Sequence, residues 1–382
     1  MIRMRLAGSH AAVRVTRVFG IPVFVHASWL VIFLLVAWTL ATGYFPRRHP
    51  DLPATAYWVR GLVTSLLFFA SILLHELGHS VVALRHGIPI RSITLFIFGG
   101  VARLARDPQD GRTELKIAIA GPVVSLLLGV LFYAASTVAV LGDAARGIAL
   151  YLALINFAVA VFNLVPAFPL DGGRLLRGLL WKAAGKGRAT RTAARTGTVF
   201  AYFLIAAGAL MLVRGESLAG VWYVLIGWFL REASTGAYRD VRLDEALAGV
   251  TVADAMLQEF ATLPSGLSLA EAAREHFLRT GYGGYPVLRA DSVVGLLCLR
   301  DVLKRSAEER ETTSVQAAMT PLTPAIVASP GDPLLKAASQ MAEAGTGRLL
   351  VMERGRLMGL LTRHSVLRQV RVRQQQESVS RA

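Results

Sequence analysis

The sequence has almost no cysteine, since Cys298 is the single cysteine among 382 residues. No disulfide can form within one chain, so a reducing compartment is compatible with the composition. The N-terminal region also lacks a clear small-residue cleavage site, and its first apolar run is too long for a signal peptide. We therefore expect no cleavable signal peptide.

Acidic residues are scarce, with 25 Asp and Glu against 41 Lys and Arg and a formal net charge of +16. Such an excess of basic residues makes nucleic acid a partner to consider. From Arg231 onward, however, 19 basic residues stand against 17 acidic ones, so most of the excess lies in short loops between apolar runs. Because that distribution is typical of membrane topology signals, we expect no nucleic-acid partner.

Apolar residues make up 54% of the chain, and the mean hydropathy is +0.50. A helix needs about 20 mostly apolar residues to cross a bilayer. The candidate runs are 22–43, 61–84, 117–141, 147–170, 197–213 and 217–231. The last two are short and are best interpreted as a helical hairpin. The sequence therefore predicts a polytopic α-helical membrane domain of about six transmembrane helices over residues 1–235, followed by a soluble part.

Basic residues cluster in the loops on one side of these runs. The loop after the second run carries six Lys or Arg and the loop after the fourth carries seven, whereas the opposite loops carry three, one and one. Because loops rich in Lys and Arg stay in the cytoplasm, we predict that both termini and the soluble part are cytoplasmic.

One of these loops has the pattern of strands. Residues 91–104 read RSITLFIFGGVARL, which predicts a small β-hairpin around Gly99 and Gly100. The simplest interpretation is a hairpin at the membrane interface. At membrane depth, such a hairpin would have to be shielded by protein or line a cavity.

The second apolar run contains the sequence HELGH. His75 and His79 are four residues apart, so on a helix they lie on one face and can bind one metal ion, while Glu76 lies beside them. This is the H-E-x-x-H pattern of zinc proteases, in which the Glu is the general base. Ionisable residues within a membrane helix cost about 3 kcal/mol to insert and generally have a function. The alternative is a set of hydrogen-bonded polar groups between helices.

A catalytic zinc ion usually has three protein ligands, so one is missing from this pattern. Asp171 is the only carboxylate between Asp143 and Glu216, and it follows the fourth run in the segment FNLVPAFPLDGGR. By the predicted topology, it meets the two histidines at the cytoplasmic end of the spans. The alternative is a solvated aspartate at a plain helix exit.

HELGH, together with Asn163, Pro166, Pro169 and Asp171-Gly-Gly, resembles the motifs of the site-2 protease family of intramembrane zinc metalloproteases. The likeness covers about residues 60–180. It implies one Zn²⁺ per chain, held by His75, His79 and Asp171, with Glu76 as the catalytic base. It also implies a bacterial- or archaeal-type cell membrane protein that cuts single-span membrane proteins within their transmembrane segments.

The same resemblance implies roles for other residues near the site. Gly121 and Ser125 match a family element for close helix packing, although small-residue packing between spans explains them equally well. Asn163 is a candidate for holding the substrate backbone, and its alternative is an interhelical hydrogen bond. The hairpin with Gly99 and Gly100 is a candidate edge for pairing with an extended substrate.

The soluble part repeats one pattern of alternating helices and strands over residues 250–306 and 315–371. The two copies resemble a tandem pair of CBS domains, an α/β module that often binds adenosine nucleotides. Its signature, a glycine followed by Thr or Ser and then Asp, is divided between the copies. The first has Asp301 but Cys298 in place of Thr, and the second has Thr362 but Ser365 in place of Asp.

Two roles remain open for this pair: sensing a nucleotide through Asp301 or Thr362, and a structural role that includes homodimer formation. We expect residues 372–382 to form a disordered tail. The alternative for the whole chain is a CBS-regulated metal transporter or channel. Transporters usually show internal repeats among their spans, and we find none in this sequence.

Overall fold

The computed structural model describes residues 12–138, 140, 142–215 and 217–379. The chain divides into two compact units between Val241 and Arg242. The first unit is mostly helical with one small sheet, and the second alternates short helices and strands.

Within the described residues, five helices are long and apolar enough to cross a membrane. They are α1 (Ala27–Arg48), α2 (Ala54–Arg85), α3 (Gly111–Thr137), α4 (Gly142–Asn163) and α5 (Asp171–Val213). The run at 217–231 lies in a further helix, α6 (Ser217–Leu247), which is not among the five. Among the described residues, the structure therefore has five candidate spanning helices by length and composition, instead of the expected six or so.

The first predicted span begins too early, because its first residues form strands. Strand β1 (Ala12–Val18) turns at Phe19-Gly20 into β2 (Ile21–His26), and α1 follows directly. The Nδ1 atom of His26 caps α1 by accepting the Ser28 N–H at 3.2 Å. The β-branched residues of this segment favour strands, but its apolar run continues without interruption into the helix.

The predicted hairpin belongs to a larger sheet in the order β1-β2-β3-β4. Strands β3 (Ile90–Phe96) and β4 (Gly99–Leu104) are antiparallel, and β3 pairs in parallel with β2. The turn falls at residues 97–98, so Gly99 and Gly100 lie in β4 rather than at the turn. Strand β4 forms one edge of this sheet.

The fourth and fifth predicted spans have different limits in the structure. Helix α4 ends at Asn163, before residue 170, because Pro166 and Pro169 have no N–H to continue a helix. Helix α5 starts much earlier than residue 197, at Asp171. Its helical geometry is broken at Gly185 (φ 79°, ψ 155°), a backbone conformation that favours glycine.

The second unit contains two similar sheets and the helices that flank them. Its strands are β5 (Leu263–Pro264), β6 (Gly284–Arg289), β7 (Ser292–Cys298), β8 (Thr320–Pro321), β9 (Val327–Ala328), β10 (Arg348–Glu353) and β11 (Arg356–Thr362). Residues 269–280 are helical. The helices that follow are α7 (Leu299–Leu303), α8 (Ala307–Thr312), α9 (Val315–Ala318), α10 (Leu334–Ala344) and α11 (Arg363–Val379), and a 3₁₀ turn covers Pro324–Ile326. Strands β5 to β8 form one sheet, and β9 to β11 form the other.

The two copies match in register as well as in order. Gly284 pairs with Cys298 in the first hairpin, and Arg348 pairs with Thr362 in the second. Gly284 therefore corresponds to Arg348. The buried cores of this unit combine residues of both copies, since Val252 packs with the second copy and Val315 with the first.

The predicted tail also differs in the structure. Helix α11 runs to Val379 and covers most of the segment that was expected to be disordered from residue 372. Residues 380–382 lie outside the described part of the chain.

Candidate metal centre

Helices α2 and α5 bring three ligand-type side chains together. The Nε2 atoms of His75 and His79 lie 3.2 Å apart, and they lie 3.2 and 3.1 Å from Oδ2 of Asp171. All three residues are buried, with 5%, 5% and 7% of their surface exposed. The sequence therefore predicted a cluster that the fold does assemble from positions far apart in the chain.

The donor set fits a zinc ion. His79 Nδ1 lies 2.7 Å from the carbonyl oxygen of Ile117, which can only accept, so Nδ1 carries the proton. In the neutral ring, Nε2 then presents a lone pair towards the carboxylate of Asp171. Donor atoms bound tetrahedrally at about 2.0–2.1 Å from zinc are roughly 3.3 Å apart, close to the spacing found here.

Helix α3 holds both imidazole rings from behind. Ser125 Oγ lies 2.9 Å from Nδ1 of His75, and Ile117 O bonds Nδ1 of His79. Gly121 lies between these two contacts, where an added Cβ would be 2.6 Å from Nε2 of His75 and would also meet His79. The element around Gly121 and Ser125 thus packs against the rings themselves, which its small residues alone did not reveal.

Glu76 is half-buried on helix α2, beside the two histidines, and contacts strand β4. Its Oε2 accepts the backbone N–H of Ala102 at 3.0 Å. A Cβ on Gly100 would lie 2.5 Å from Cγ of Glu76, so only glycine leaves room for this carboxylate. Gly99 has a φ of 123°, which side chains rarely tolerate, and an added Cβ would meet nothing within 4 Å.

The loop before Asp171 is fixed by backbone hydrogen bonds. The N–H of Phe168 donates to Ala193 O at 3.1 Å, and the Ser234 hydroxyl donates to Phe168 O. A Cβ on Gly172 or Gly173 would collide with the backbone of this loop, which explains the two glycines after the aspartate. The loop therefore presents Asp171 in one direction.

Asn163 ends α4 and is half-buried. Its Nδ2 donates to the Val159 carbonyl of its own helix at 3.0 Å. That bond uses the amide nitrogen and does not involve the Oδ1 atom.

In the second unit, the two nucleotide candidates have different surroundings. Asp301 Oδ2 accepts the N–H of Cys298 at 3.3 Å, so this carboxylate caps the helix that follows β7. Thr362 and Ser365 bond each other reciprocally at the start of helix α11, with both bonds at 3.1 Å. Thr362 and Arg348 also line a cavity of about 40 Å³.

Apolar helices with a buried pair of histidines, an adjacent glutamate and an aspartate from another helix define a class of protein: a metalloprotease built into a membrane. Protein-family models support that assignment. Peptidase family M50 matches residues 63–149 and 138–207. The CBS domain matches twice, at residues 252–308 and 315–372.

Relatives of similar length match nearly the whole chain. Two of them bear the name "Putative zinc metalloprotease": Rip3 of Mycobacterium tuberculosis is 38% identical and covers 94% of this chain and 93% of its own, and sll0528 of Synechocystis is 33% identical and covers 96% and 98%. A solved structure, the site-2 protease from Methanocaldococcus jannaschii, is 31% identical and covers 60% of this chain and 95% of its own, with a TM-score of 0.44.

The chain belongs to peptidase family M50, the site-2 proteases, and carries a tandem pair of CBS domains. It is a zinc metalloprotease and a membrane protein. The predicted fold class, the predicted enzyme class and the resemblance to both families are therefore confirmed.

Proposed function

We propose that this protein hydrolyses peptide bonds within the transmembrane segments of membrane-anchored substrates. The observation that carries the proposal is the buried cluster of His75, His79 and Asp171, with Glu76 beside it. In this proposal, the first three residues are the zinc ligands and Glu76 is the catalytic base.

The chemistry is divided between the metal and the chain. Bound zinc supplies a Lewis acid that polarises a peptide carbonyl and makes water more acidic. Glu76 takes the proton of the attacking water at a carboxylate oxygen and passes it to the leaving nitrogen. The N–H of Ala102 holds the other carboxylate oxygen of Glu76 at 3.0 Å, so the group that moves the proton keeps a fixed direction.

The substrate must be extended before it can be cut, because a helix hides its peptide bonds in its own hydrogen bonds. We propose that the β4 edge, with Gly99 and Gly100, pairs with an unwound substrate segment. The Asn163 side chain would accept a substrate N–H near the same place. Single-span proteins with Pro or Gly in the span suit this route, because those residues weaken helices.

The orientation of the chain follows from its basic loops. We propose that both termini and the CBS pair lie in the cytoplasm, and that substrates are cut in the cytoplasmic third of the bilayer. A cut mapped to the extracytoplasmic end of a substrate span would contradict this orientation.

The CBS pair is proposed to modulate the protease. In this proposal, the protease domain covers residues 1–235, and the repeats cover 250–306 and 315–371. Both roles that the sequence left open are retained: a nucleotide sensed through Asp301 or Thr362, and association of two chains through the pair. In the nucleotide role, the ligand would enter the cavity that Thr362 and Arg348 line.

The decisive experiment compares the wild-type protein with Glu76→Gln in detergent, on a panel of tagged single-span substrates. We expect a cut inside the apolar segment, and a loss of about 10²–10⁴-fold in rate for the variant. Product masses identify the bond, and elemental analysis measures zinc. Both proteins should hold one zinc per chain, because Glu76 is not a ligand in this proposal.

Other outcomes discriminate between the alternatives. Equal cleavage by the variant would remove Glu76 from the mechanism. Cleavage only outside the substrate span would contradict intramembrane hydrolysis. Transport of metal into vesicles by Glu76→Gln at the wild-type rate, with no cleavage by either protein, would favour the transporter alternative.

A further inference from the structure

One fully buried carboxylate has no part in the chemistry described so far. Glu114 lies in the first turn of α3, and its side chain has 0% exposure. Arg177 of α5 donates to it through Nε, at 2.9 and 3.0 Å from the two carboxylate oxygens, and also through Nη2. Arg174 adds a weaker contact at 3.7 Å. The pair therefore joins α3 to α5 with a two-point contact.

The pair lies between the two halves of the metal centre. On α3, Glu114 is one turn before Ile117, whose carbonyl holds His79. On α5, Arg177 follows Asp171 by less than two turns. The Glu114–Arg177 pair thus forms a second connection, outside the cluster, between the helix that holds His79 and the helix that carries Asp171.

Helices α3 and α5 approach each other closely beside this ion pair. A Cβ on Gly178 would lie 2.9 Å from Gly111 O and 2.8 Å from Cγ of Leu115. The guanidinium of Arg177 also lies 5.5 Å from the ring centroid of Phe168, in the loop that leads to Asp171. A small shift of α5 against α3 would therefore also move that loop.

We propose that Glu114 and Arg177 are positioning residues for the metal centre: their two-point contact sets the register of α5 so that Asp171 reaches His75 and His79. The inference rests on the proposed ligand roles. A buried ion pair adds little net stability over packed apolar residues, because desolvation offsets its attraction. A forked arginine contact, however, fixes a direction as well as a distance.

The test uses Arg177→Lys in the full-length protein, purified in detergent and freed of metal. Lysine keeps the positive charge but cannot form the two-point contact of the guanidinium. We expect the affinity for Zn²⁺ to fall by about 10–100-fold, as for other residues that orient ligands. The visible absorption of bound Co²⁺ should change in intensity, because its ligand geometry changes. Thermal unfolding of the metal-free protein should stay close to that of the wild type.

Two further variants complete the design. Glu114→Asp shortens the other partner by one carbon and should weaken Zn²⁺ binding in the same direction. Asp143→Asn removes an exposed ion pair with Arg146 in the same unit and should change neither the Zn²⁺ affinity nor the Co²⁺ spectrum.

Wild-type Zn²⁺ affinity and an unchanged Co²⁺ spectrum in both pair variants, with lower unfolding temperatures, would overturn the proposal and leave a purely structural pair. A wild-type protein that binds no Co²⁺ would overturn this inference together with the proposed ligands. Normal Co²⁺ binding by a wild type that cuts no substrate would instead count against the proposed function alone, and the pair variants would still decide the positioning role.

Discussion

Gly121 leaves room for the metal centre because its side chain is a single hydrogen atom. The residue faces the Nε2 atoms of both histidines, and an added Cβ would lie 2.6 Å from that of His75. The helix that carries it also supplies the hydrogen bonds to the far side of both rings. Helix α3 therefore shapes the centre without contributing a ligand.

We predict that Gly121→Ala weakens zinc binding by about 10–100-fold, because overpacking at a dense contact typically costs 1–3 kcal/mol. Competition with a chelator measures the affinity. Gly236→Ala in α6 is the matched control, since an added Cβ there meets nothing within 4 Å. Equal zinc affinity in both variants would show that the rings can move aside.

The hydroxyl of Ser125 supports a second prediction. Ser125→Ala removes the hydrogen bond to Nδ1 of His75, and we expect zinc affinity to fall about 10-fold, since such partners fix the ring orientation. Ser136→Ala on the same helix is the control, because the Ser136 hydroxyl donates to the Tyr133 carbonyl of its own helix rather than to a histidine. Isothermal titration with zinc compares the two, and a similar loss in both would contradict a specific effect.

The sequence was informative where chemistry leaves a rare pattern. His75, Glu76 and His79 were found because ionisable residues stand out in an apolar run, and Asp171 because it is the only carboxylate in a long stretch of the chain. The contact of Ser125 with His75 could not be derived in the same way, since a serine in a membrane helix usually satisfies itself on its own helix. Its partner depends on how the helices rotate against each other.

At the scale of elements, strand β4 and helix α2 meet side by side around Glu76. The edge strand donates one N–H to the carboxylate, and Gly100 keeps the space between them open. An edge strand with free backbone groups is suited to pairing with another extended chain. The element that is proposed to hold the substrate therefore also orients the proposed base.

We predict that Gly100→Ala lowers kcat by about 100-fold and leaves one zinc bound per chain, because displacing a reacting group by about 1 Å typically costs that much. Its Cβ would lie 2.5 Å from Cγ of Glu76. Val101→Ala, at a partly exposed position of the same strand, should keep the wild-type kcat. A fall in KM alone, or loss of zinc, would not agree with displacement of Glu76.

The limits of several elements were predicted wrongly. Residues 22–26 were assigned to a helix because the apolar run is continuous, whereas the structure divides it at His26, where a side chain caps α1. The segment between residues 170 and 197 was assigned to a basic loop, whereas the structure makes it part of α5, with a break at Gly185. In both cases the deciding interaction is local geometry that hydrophobicity does not report.

At the scale of the whole molecule, the second unit has the features of an independent domain. Its core around Leu334 and Leu361 also includes Leu247, at the end of α6, which is 4% exposed. The sequence repeat predicted the two copies but not this contribution from the preceding helix, because Leu247 lies before the first repeat. A fragment that starts at residue 250 would therefore lack part of the core.

We predict that residues 242–382 fold in water without detergent, in one cooperative transition. In this fragment, Leu247→Ala should lower the free energy of unfolding by about 2–5 kcal/mol, as for other buried leucines. Leu303→Ala, at a residue that is 61% exposed, should change it by less than about 1 kcal/mol. Urea unfolding followed by circular dichroism measures both, and equal effects would contradict the assigned core.

The distance along the chain between the clustered residues has a consequence for biosynthesis. His75 and Asp171 are 96 residues apart, and ribosomes add about 5–20 residues per second. During the seconds between the two, a nascent chain has HELGH in place but not yet Asp171. Chains that stall or are truncated before α5 would therefore lack the complete cluster, and we expect them to have no protease activity.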